Sequence, residues 1–132
     1  MPKRSPLFTF FTLIVIGCST STPSASSTTD FNAGNEAELH DGAARVEQLK
    51  QELLGRGFHT TSTSSSNLWQ EVTLKGDYGG LKDVEVTLRV AKQLEKTEPH
   101  LRAVLQASFP NQPTKQEFEG LDAHIKSAIR GQ

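Results

Sequence analysis

The chain is 132 residues long, which suits one domain rather than two. Fourteen Lys and Arg residues against fifteen Asp and Glu residues give a formal net charge of −1, which argues against a nucleic-acid-binding protein, because such proteins are normally basic. A single Cys excludes a disulfide framework within the chain and any metal site built from several cysteines. No apolar run reaches the roughly 18–20 residues that a membrane-spanning helix needs.

The first 18 residues have the layout of a secretory signal peptide. Lys3 and Arg4 lie in a short segment without acidic residues, and residues 7–16 (LFTFFTLIVI) form the apolar stretch that follows it. Gly17 and then Cys18 come directly after this stretch. A cationic start, an apolar stretch of roughly 7–15 residues and a small residue before the cleavage site are typical of a signal peptide that directs export.

The end of this segment, residues 15–18 (VIGC), resembles the lipobox of bacterial lipoproteins. The resemblance implies a signal peptide over residues 1–17, diacylglyceryl transfer to the sulfur of Cys18, and cleavage between Gly17 and Cys18. In many bacteria the new amine is acylated as well, and two or more acyl chains anchor a protein stably where one does not. Two other interpretations stay open: an ordinary cleaved signal peptide with an unrelated Cys, and an uncleaved N-terminal anchor.

The segment after the Cys is rich in hydroxyl side chains. Residues 19–30 (STSTPSASSTTD) contain nine Ser and Thr residues in twelve positions. A segment with so little apolar surface cannot offset the entropy lost on ordering it. We therefore expect residues 18–30, beginning with the lipidated Cys18, to be a disordered tether that holds a folded domain, residues 31–132, off the membrane. The alternative is a filler segment of no particular length.

Hydrophobic periodicity from residue 31 onward predicts helices at both ends of the domain and strands between them. Apolar residues recur at three- and four-residue steps in two segments, and they alternate with polar residues in the shorter segments that separate these two. The predicted helices span 35–54 and 114–130, each starting at a capping box, with Asp41 as a second possible N-cap of the first helix. The predicted strands span 68–75, 84–92 and 101–109, with a weak or edge strand over 58–63. This order, with short links between the strands, predicts an α+β fold. We expect a two-layer sandwich in which an antiparallel sheet of three to four strands carries the N-terminal and the C-terminal helix on one face.

No catalytic or metal-binding motif is visible. The histidines show no HxxxH or HExxH spacing, and none has a second soft ligand beside it: His40, His59, His100 and His124. We expect His100, which follows a proline in a loop, to be solvated. The glycine-rich segment 76–80 (GDYGG) lacks the spacing of a phosphate-binding loop and predicts a hairpin turn. The sequence therefore predicts no catalytic residue, no metal site and no cofactor.

The outward face of the predicted sheet is the candidate binding face. Trp69, Arg89 and Arg102 are its candidate contact residues, because Trp and Arg are favoured at protein interfaces. In an ordinary register ten residues share this face: Trp69, Glu71, Thr73, Lys75, Glu85, Thr87, Arg89, Arg102, Val104 and Gln106. The alternatives are a solvated sheet with cross-strand ion pairs, or a Trp69 buried under a loop.

These features predict a lipid-anchored bacterial cell-envelope protein that is a non-enzymatic binding or assembly module. Its expected partners are the membrane, through acyl chains on Cys18, and an envelope protein or a cell-wall polymer, but not nucleic acid. The residue after Cys18 is Ser19 and not Asp, which resembles the pattern of Gram-negative lipoproteins that are sorted to the outer membrane. In a Gram-negative host this resemblance implies that the protein lies on the periplasmic side of the outer membrane. An envelope enzyme with an unrecognised site and a purely structural lipoprotein remain the alternatives.

Overall fold

The computed structural model describes residues 24–94, 99–109 and 111–131, and the predicted signal peptide and Cys18 lie outside them. Within the described residues the chain forms five strands and two helices. They occur in the order β1 (Ser24–Phe31), α1 (Glu36–Gly55), β2 (His59–Ser65), β3 (Trp69–Tyr78), β4 (Leu81–Ala91), β5 (Leu101–Ser108) and α2 (Gln112–Arg130). The fold is α+β, as the sequence predicts.

The strands form one antiparallel sheet with the order β1-β5-β4-β3-β2. Strands β2 to β5 follow one another as neighbours, and the chain first crosses the sheet through α1, which joins the two edge strands. The sheet has five strands in the described residues, so the predicted count of three to four is too low. The predicted weak strand over 58–63 exists as β2, a paired edge strand in which every residue is exposed.

The fifth strand, β1, corrects the predicted disorder over residues 24–30 and the predicted domain start at residue 31. Residues Ser24–Phe31 pair with β5 along their whole length, from Ser24 opposite Ser108 to Phe31 opposite Leu101. The composition argument failed here because an edge of an existing sheet supplies backbone hydrogen bonds that require no large side chain. The inward side chains of residues 25–29 are small, Thr29 is only 1% exposed, and the half-buried Phe31 ends the strand against the core. The remaining residues of the predicted tether, 18–23, lie outside the described part of the chain.

Both helices begin at an Asn cap. Asn35 caps α1 as predicted, since its side chain accepts a hydrogen bond from the Glu38 backbone N–H. For α2 the predicted start at residue 114 is three residues late: Asn111 is the N-cap, and Thr114 is the third helical residue of a reciprocal capping box. Pro113 lies in the first turn of α2, where a backbone N–H has no acceptor within the helix. Because proline has no N–H, its presence there favours this earlier start.

One hydrophobic cluster joins the helices to the sheet. Leu39, Val46, Leu49 and Leu53 come from α1, and Phe118, Leu121, Ile125 and Ile129 come from α2. The strands add alternate residues, of which the largest are Leu74, Leu81, Val84, Val86, Leu88, Leu101 and Leu105. The residues between them in β4 and β5 are half-buried or exposed, so the sheet has one face toward the core and one away from it.

Candidate functional site

The structure places Trp69, Arg89 and Arg102 together on the sheet face that points away from the core. They come from three neighbouring strands, β3, β4 and β5. The register sets Glu71 opposite Arg89 and Arg89 opposite Arg102. None of the ten residues predicted for this face is buried, so the predicted strand faces of β3, β4 and β5 are confirmed.

An aromatic and ionic cluster forms around Arg89. The guanidinium carbon of Arg89 lies 4.3 Å from the centroid of the Trp69 ring, which is cation–π distance. The same guanidinium donates to Oε2 of Glu71, with both Nε and Nη2 at 3.3 Å. Both side chains of this ion pair are about one-quarter to one-third exposed, 26% for Arg89 and 31% for Glu71. Trp69 itself is half-buried, so its indole lies at the surface against Arg89 rather than buried under a loop.

Arg102 extends this cluster across the sheet to β1. Its guanidinium makes two hydrogen bonds to Asp30, from Nε to Oδ1 at 2.7 Å and from Nη2 to Oδ2 at 3.2 Å. The hydrogen bond to the Asp30 carboxylate raises the pKa of Arg102 above its ordinary value. Asp30 lies on β1, in the segment that the sequence assigned to the tether, so the sequence could not reveal this partner. Four strands together present a row of acidic, basic, basic and acidic side chains.

Three threonines and one valine form a second row of side chains beside the charged row. Thr28 lies opposite Val104, Val104 opposite Thr87, and Thr87 opposite Thr73. The Oγ1 atoms of Thr73 and Thr87 are 3.1 Å apart and share a hydrogen bond. The face is thus a broad, open surface with hydrogen-bonding groups in regular rows and one aromatic ring at its border.

An exposed Leu68 comes directly before Trp69, at a position that the sequence predicts as the start of a strand. Leu68 precedes β3 and is 41% exposed, the exposed large hydrophobic side chain of the described residues. The hydroxyl of Ser66 accepts hydrogen bonds from the backbone N–H groups of Leu68 and Trp69, at 3.1 and 3.2 Å. The carbonyl of Leu68 accepts from the Lys92 backbone N–H at 2.7 Å. The Leu68–Trp69 pair is therefore fixed at the end of the hairpin, and the Ser-rich turn before it is the sequence signal that could have shown this.

A groove of about 560 Å³ lies on the other side of the sheet, between α1 and strands β2 and β3. Its floor is apolar and consists of Val46, Val72, Leu88 and Val90. Val46 and Leu88 are buried, whereas Val72 and Val90 are half-buried. Strand β2 contributes only polar side chains to the groove, so Val72 and Val90 stay partly open to solvent. The sequence did not predict this groove, because an alternating strand pattern shows which side chains point inward but not how far a helix covers them.

Two side chains of α1 pair at the rim of the groove. Nζ of Lys50 lies 3.3 Å from Oε1 of Glu47. A hydrogen bond from the Gln51 amide, at 2.9 Å from Oε2, and then the nearby Lys50 lower the pKa of Glu47 below its ordinary value of 4.5, against a partial effect of desolvation. This arrangement keeps the rim ionised and polar beside an apolar floor.

The histidines do not converge on a site. His100, predicted to be solvated, is only 3% exposed, which corrects that expectation. Its Nδ1 accepts a hydrogen bond from the Ala33 backbone N–H at 2.8 Å, so the ring proton is on Nε2 and is donated to the Leu94 carbonyl at 2.6 Å. His100 thus fastens the segment after β1 to the segment after β4. His124 reaches Oε1 of Glu52 at 3.0 Å on the surface. Among the described residues no group of three or more His, Cys, Asp or Glu side chains could hold a metal ion.

Comparison with known proteins adds no relative: no protein-family model, no curated protein and no solved structure matches the chain. In the part of the chain that the structure describes, neither helix combines the length and the apolar character needed to cross a bilayer.

Proposed function

We propose that this protein is a bacterial lipoprotein of the cell envelope, held to a membrane by acyl chains on Cys18. The support is the order of features in the first 18 residues: two basic residues, ten mostly apolar residues, Gly17 and then Cys18. Lipidation would also occupy the chain's single thiol in an oxidising compartment. In a Gram-negative host, the protein lies on the periplasmic side of the outer membrane.

The domain on this anchor is a two-layer sandwich with both helices on one face of the sheet. The single hydrophobic cluster, which contains residues of both helices and of the inward strand positions, supports this arrangement. Helix α1 runs beside α2, where Nε of Arg45 donates to the Ala128 carbonyl at 2.8 Å. The opposite face of the sheet then remains open to solvent and to partners.

This domain is a non-enzymatic binding or assembly module, and its contact surface is the open face. One observation carries the proposal: Arg89 is stacked on Trp69 and paired with Glu71 on the open face. Trp and Arg side chains that are already fixed lose little conformational entropy on binding, which makes them effective interface anchors. The partner is an envelope protein or a cell-wall polymer.

The anchor is tested with Cys18→Ala in the native host. We expect the wild type to partition into the detergent phase, and the variant to remain unprocessed or to enter the aqueous phase, because it has no sulfur to acylate. If the Cys18→Ala chain partitions like the wild type and has the same mature mass, the protein is not a lipoprotein.

The binding face is tested with the double variant Trp69→Ala and Arg89→Ala, expressed at the native level and cross-linked in intact cells. A matched control is Glu52→Ala with His124→Ala, an exposed pair on α1 and α2 whose side chains lie 3.0 Å apart and which is not part of the open face. We expect the first pair to lose a cross-linked product that the wild type and the control pair retain. A folded Trp69→Ala, Arg89→Ala variant with an unchanged cross-linking pattern would exclude this face as the contact surface.

A further inference from the structure

We propose that the first five residues of β1, residues 24–28, detach from β5 while the rest of the strand stays in place, so that they lengthen the membrane tether. We call residues 24–28 the release segment. The lengthening of the tether rests on the proposed anchor at Cys18, but the detachment of the release segment does not. The proposal follows from a difference in how the two halves of β1 are held.

The release segment is held weakly by its side chains. Ser24, Ser26 and Thr28 are exposed, and the inward Ala25 and Ser27 are only half-buried. Among the described residues its side chains make one hydrogen bond, from Ser27 Oγ to Oδ1 of Asp122 at 2.6 Å. No side chain of this segment is large enough to lose much apolar contact when it leaves the sheet.

The second half of β1 is fixed by several contacts. Thr29 is buried against the core. Asp30 accepts the two hydrogen bonds from Arg102. The carbonyl of Phe31 accepts from the His100 backbone N–H at 3.0 Å, and His100 itself is buried. Opening of the strand from its N-terminal end should therefore stop at Thr29.

The sequence supports the same division. The composition of residues 19–30 predicts disorder, because Ser and Thr supply too little apolar surface to offset ordering. The structure shows the second part of that segment as a strand at the edge of the sheet. A local preference that disagrees with the folded arrangement marks a segment of low local stability, which is where partial opening takes place.

Release changes the reach of the anchor by a calculable amount. Six Cα steps separate Cys18 from Ser24, and at about 3.6 Å each they span at most about 22 Å. Eleven steps separate Cys18 from Thr29, and they span at most about 40 Å. Detachment therefore nearly doubles the maximum span of the tether, and the open face can meet a partner up to about 18 Å farther from the leaflet. It also frees the edge of β5 over residues 104–108.

Hydrogen exchange tests the detachment on the full lipidated chain in detergent micelles or vesicles. We expect the hydrogen-bonded amides of the release segment to exchange at least about 10-fold faster than those of residues 29–31. Equal protection of the hydrogen-bonded amides in residues 24–28 and in residues 29–31 would overturn the proposal. The comparison within one strand removes the effect of edge position, since both halves of β1 belong to the same edge.

A disulfide lock tests the change in reach. Ser26 and Gln106 are opposite in register, so Ser26→Cys with Gln106→Cys can close the release segment onto β5 in a chain whose Cys18 sulfur is acylated. The matched control, Ser62→Cys with Thr73→Cys, locks the other edge of the sheet. Energy transfer from Trp69, the only Trp, to a dansyl-labelled lipid headgroup reports the height of the domain. Reduction of the first disulfide should lower the transfer, whereas reduction of the control should leave it unchanged.

The outcomes separate this proposal from the anchor. Fast exchange of the release segment in a chain that carries no acyl group refutes the anchor and supports detachment. Uniform exchange along β1 in an acylated chain refutes detachment and leaves the anchor standing. Fast exchange in an acylated chain whose energy transfer is the same with the lock open or closed refutes the lengthening of the tether.

Discussion

Removal of the buried His100 ring tests how the first strand is fastened to the sheet. In His100→Ala the Ala33 N–H loses its acceptor in a position that is closed to water, at a cost of about 1–3 kcal/mol. The lost hydrogen bond to the Leu94 carbonyl and the cavity left by the ring add roughly 1 kcal/mol each. We expect a total loss of about 3–5 kcal/mol, a large part of the ~5–15 kcal/mol that stabilises a domain of this size.

The assay is equilibrium urea unfolding. With a slope of about 1.5 kcal/mol per molar urea, the midpoint of His100→Ala should fall by about 2–3 M. His124→Ala is the matched control, because the His124 ring makes a hydrogen bond at the surface. Its free energy of unfolding should change by no more than about 0.5 kcal/mol, which is a midpoint shift of about 0.3 M. His100→Asn should recover part of the loss, since its Oδ1 can replace Nδ1 as the acceptor from Ala33. A His100→Ala midpoint equal to that of His124→Ala would refute the reasoning.

Three further substitutions test the core, a close contact and the groove rim. Leu88→Asp puts a carboxylate at a position that is 1% exposed, and we expect it to abolish the cooperative thermal transition; a retained sharp transition would show that the strand faces are wrong. Gly76→Ala should cost about 1–3 kcal/mol in urea unfolding, because its Cβ would lie 2.8 Å from Cγ and 2.9 Å from Cα of Phe58; an unchanged midpoint would contradict this contact. Glu47→Gln should cost at most about 0.5 kcal/mol at pH 7. Because the pKa of Glu47 is lowered in the folded state, chiefly by Gln51, this difference is present above pH 4.5 and should vanish as the pH falls below it; a difference that grows on acidification would refute the assignment.

The sequence predicts most of the regular structure because the core follows simple periods. The alternation in 84–92 and 101–109 and the helical stripes around Leu49 and Ile125 are confirmed by burial. The first strand could not be predicted in the same way, since its stability comes from backbone pairing with β5 rather than from its own side chains. The start of α2 was misplaced because two capping patterns overlap, and the first-turn proline favours the earlier one.

The candidate face was predictable in part. Strand alternation places Trp69, Arg89 and Arg102 on one side of the sheet, and the structure confirms their proximity. The partners of these side chains depend on register and on a strand that composition hides, so the Asp30–Arg102 pair could not be foreseen. The sequence did not predict the burial of His100 for a similar reason. One of its hydrogen bonds goes to the backbone of Ala33, which is 67 residues away in the sequence, and the other goes to the carbonyl of Leu94 in a loop.

The location of the protein is tested most directly by the intact mass of the mature chain purified from its own membranes. If the protein is anchored through Cys18, the mature polypeptide begins at Cys18 and carries a diacylglyceryl group, with or without a further acyl chain on the amine. A mature chain that begins at any other residue, or one that begins at Cys18 with a free thiol, would contradict it.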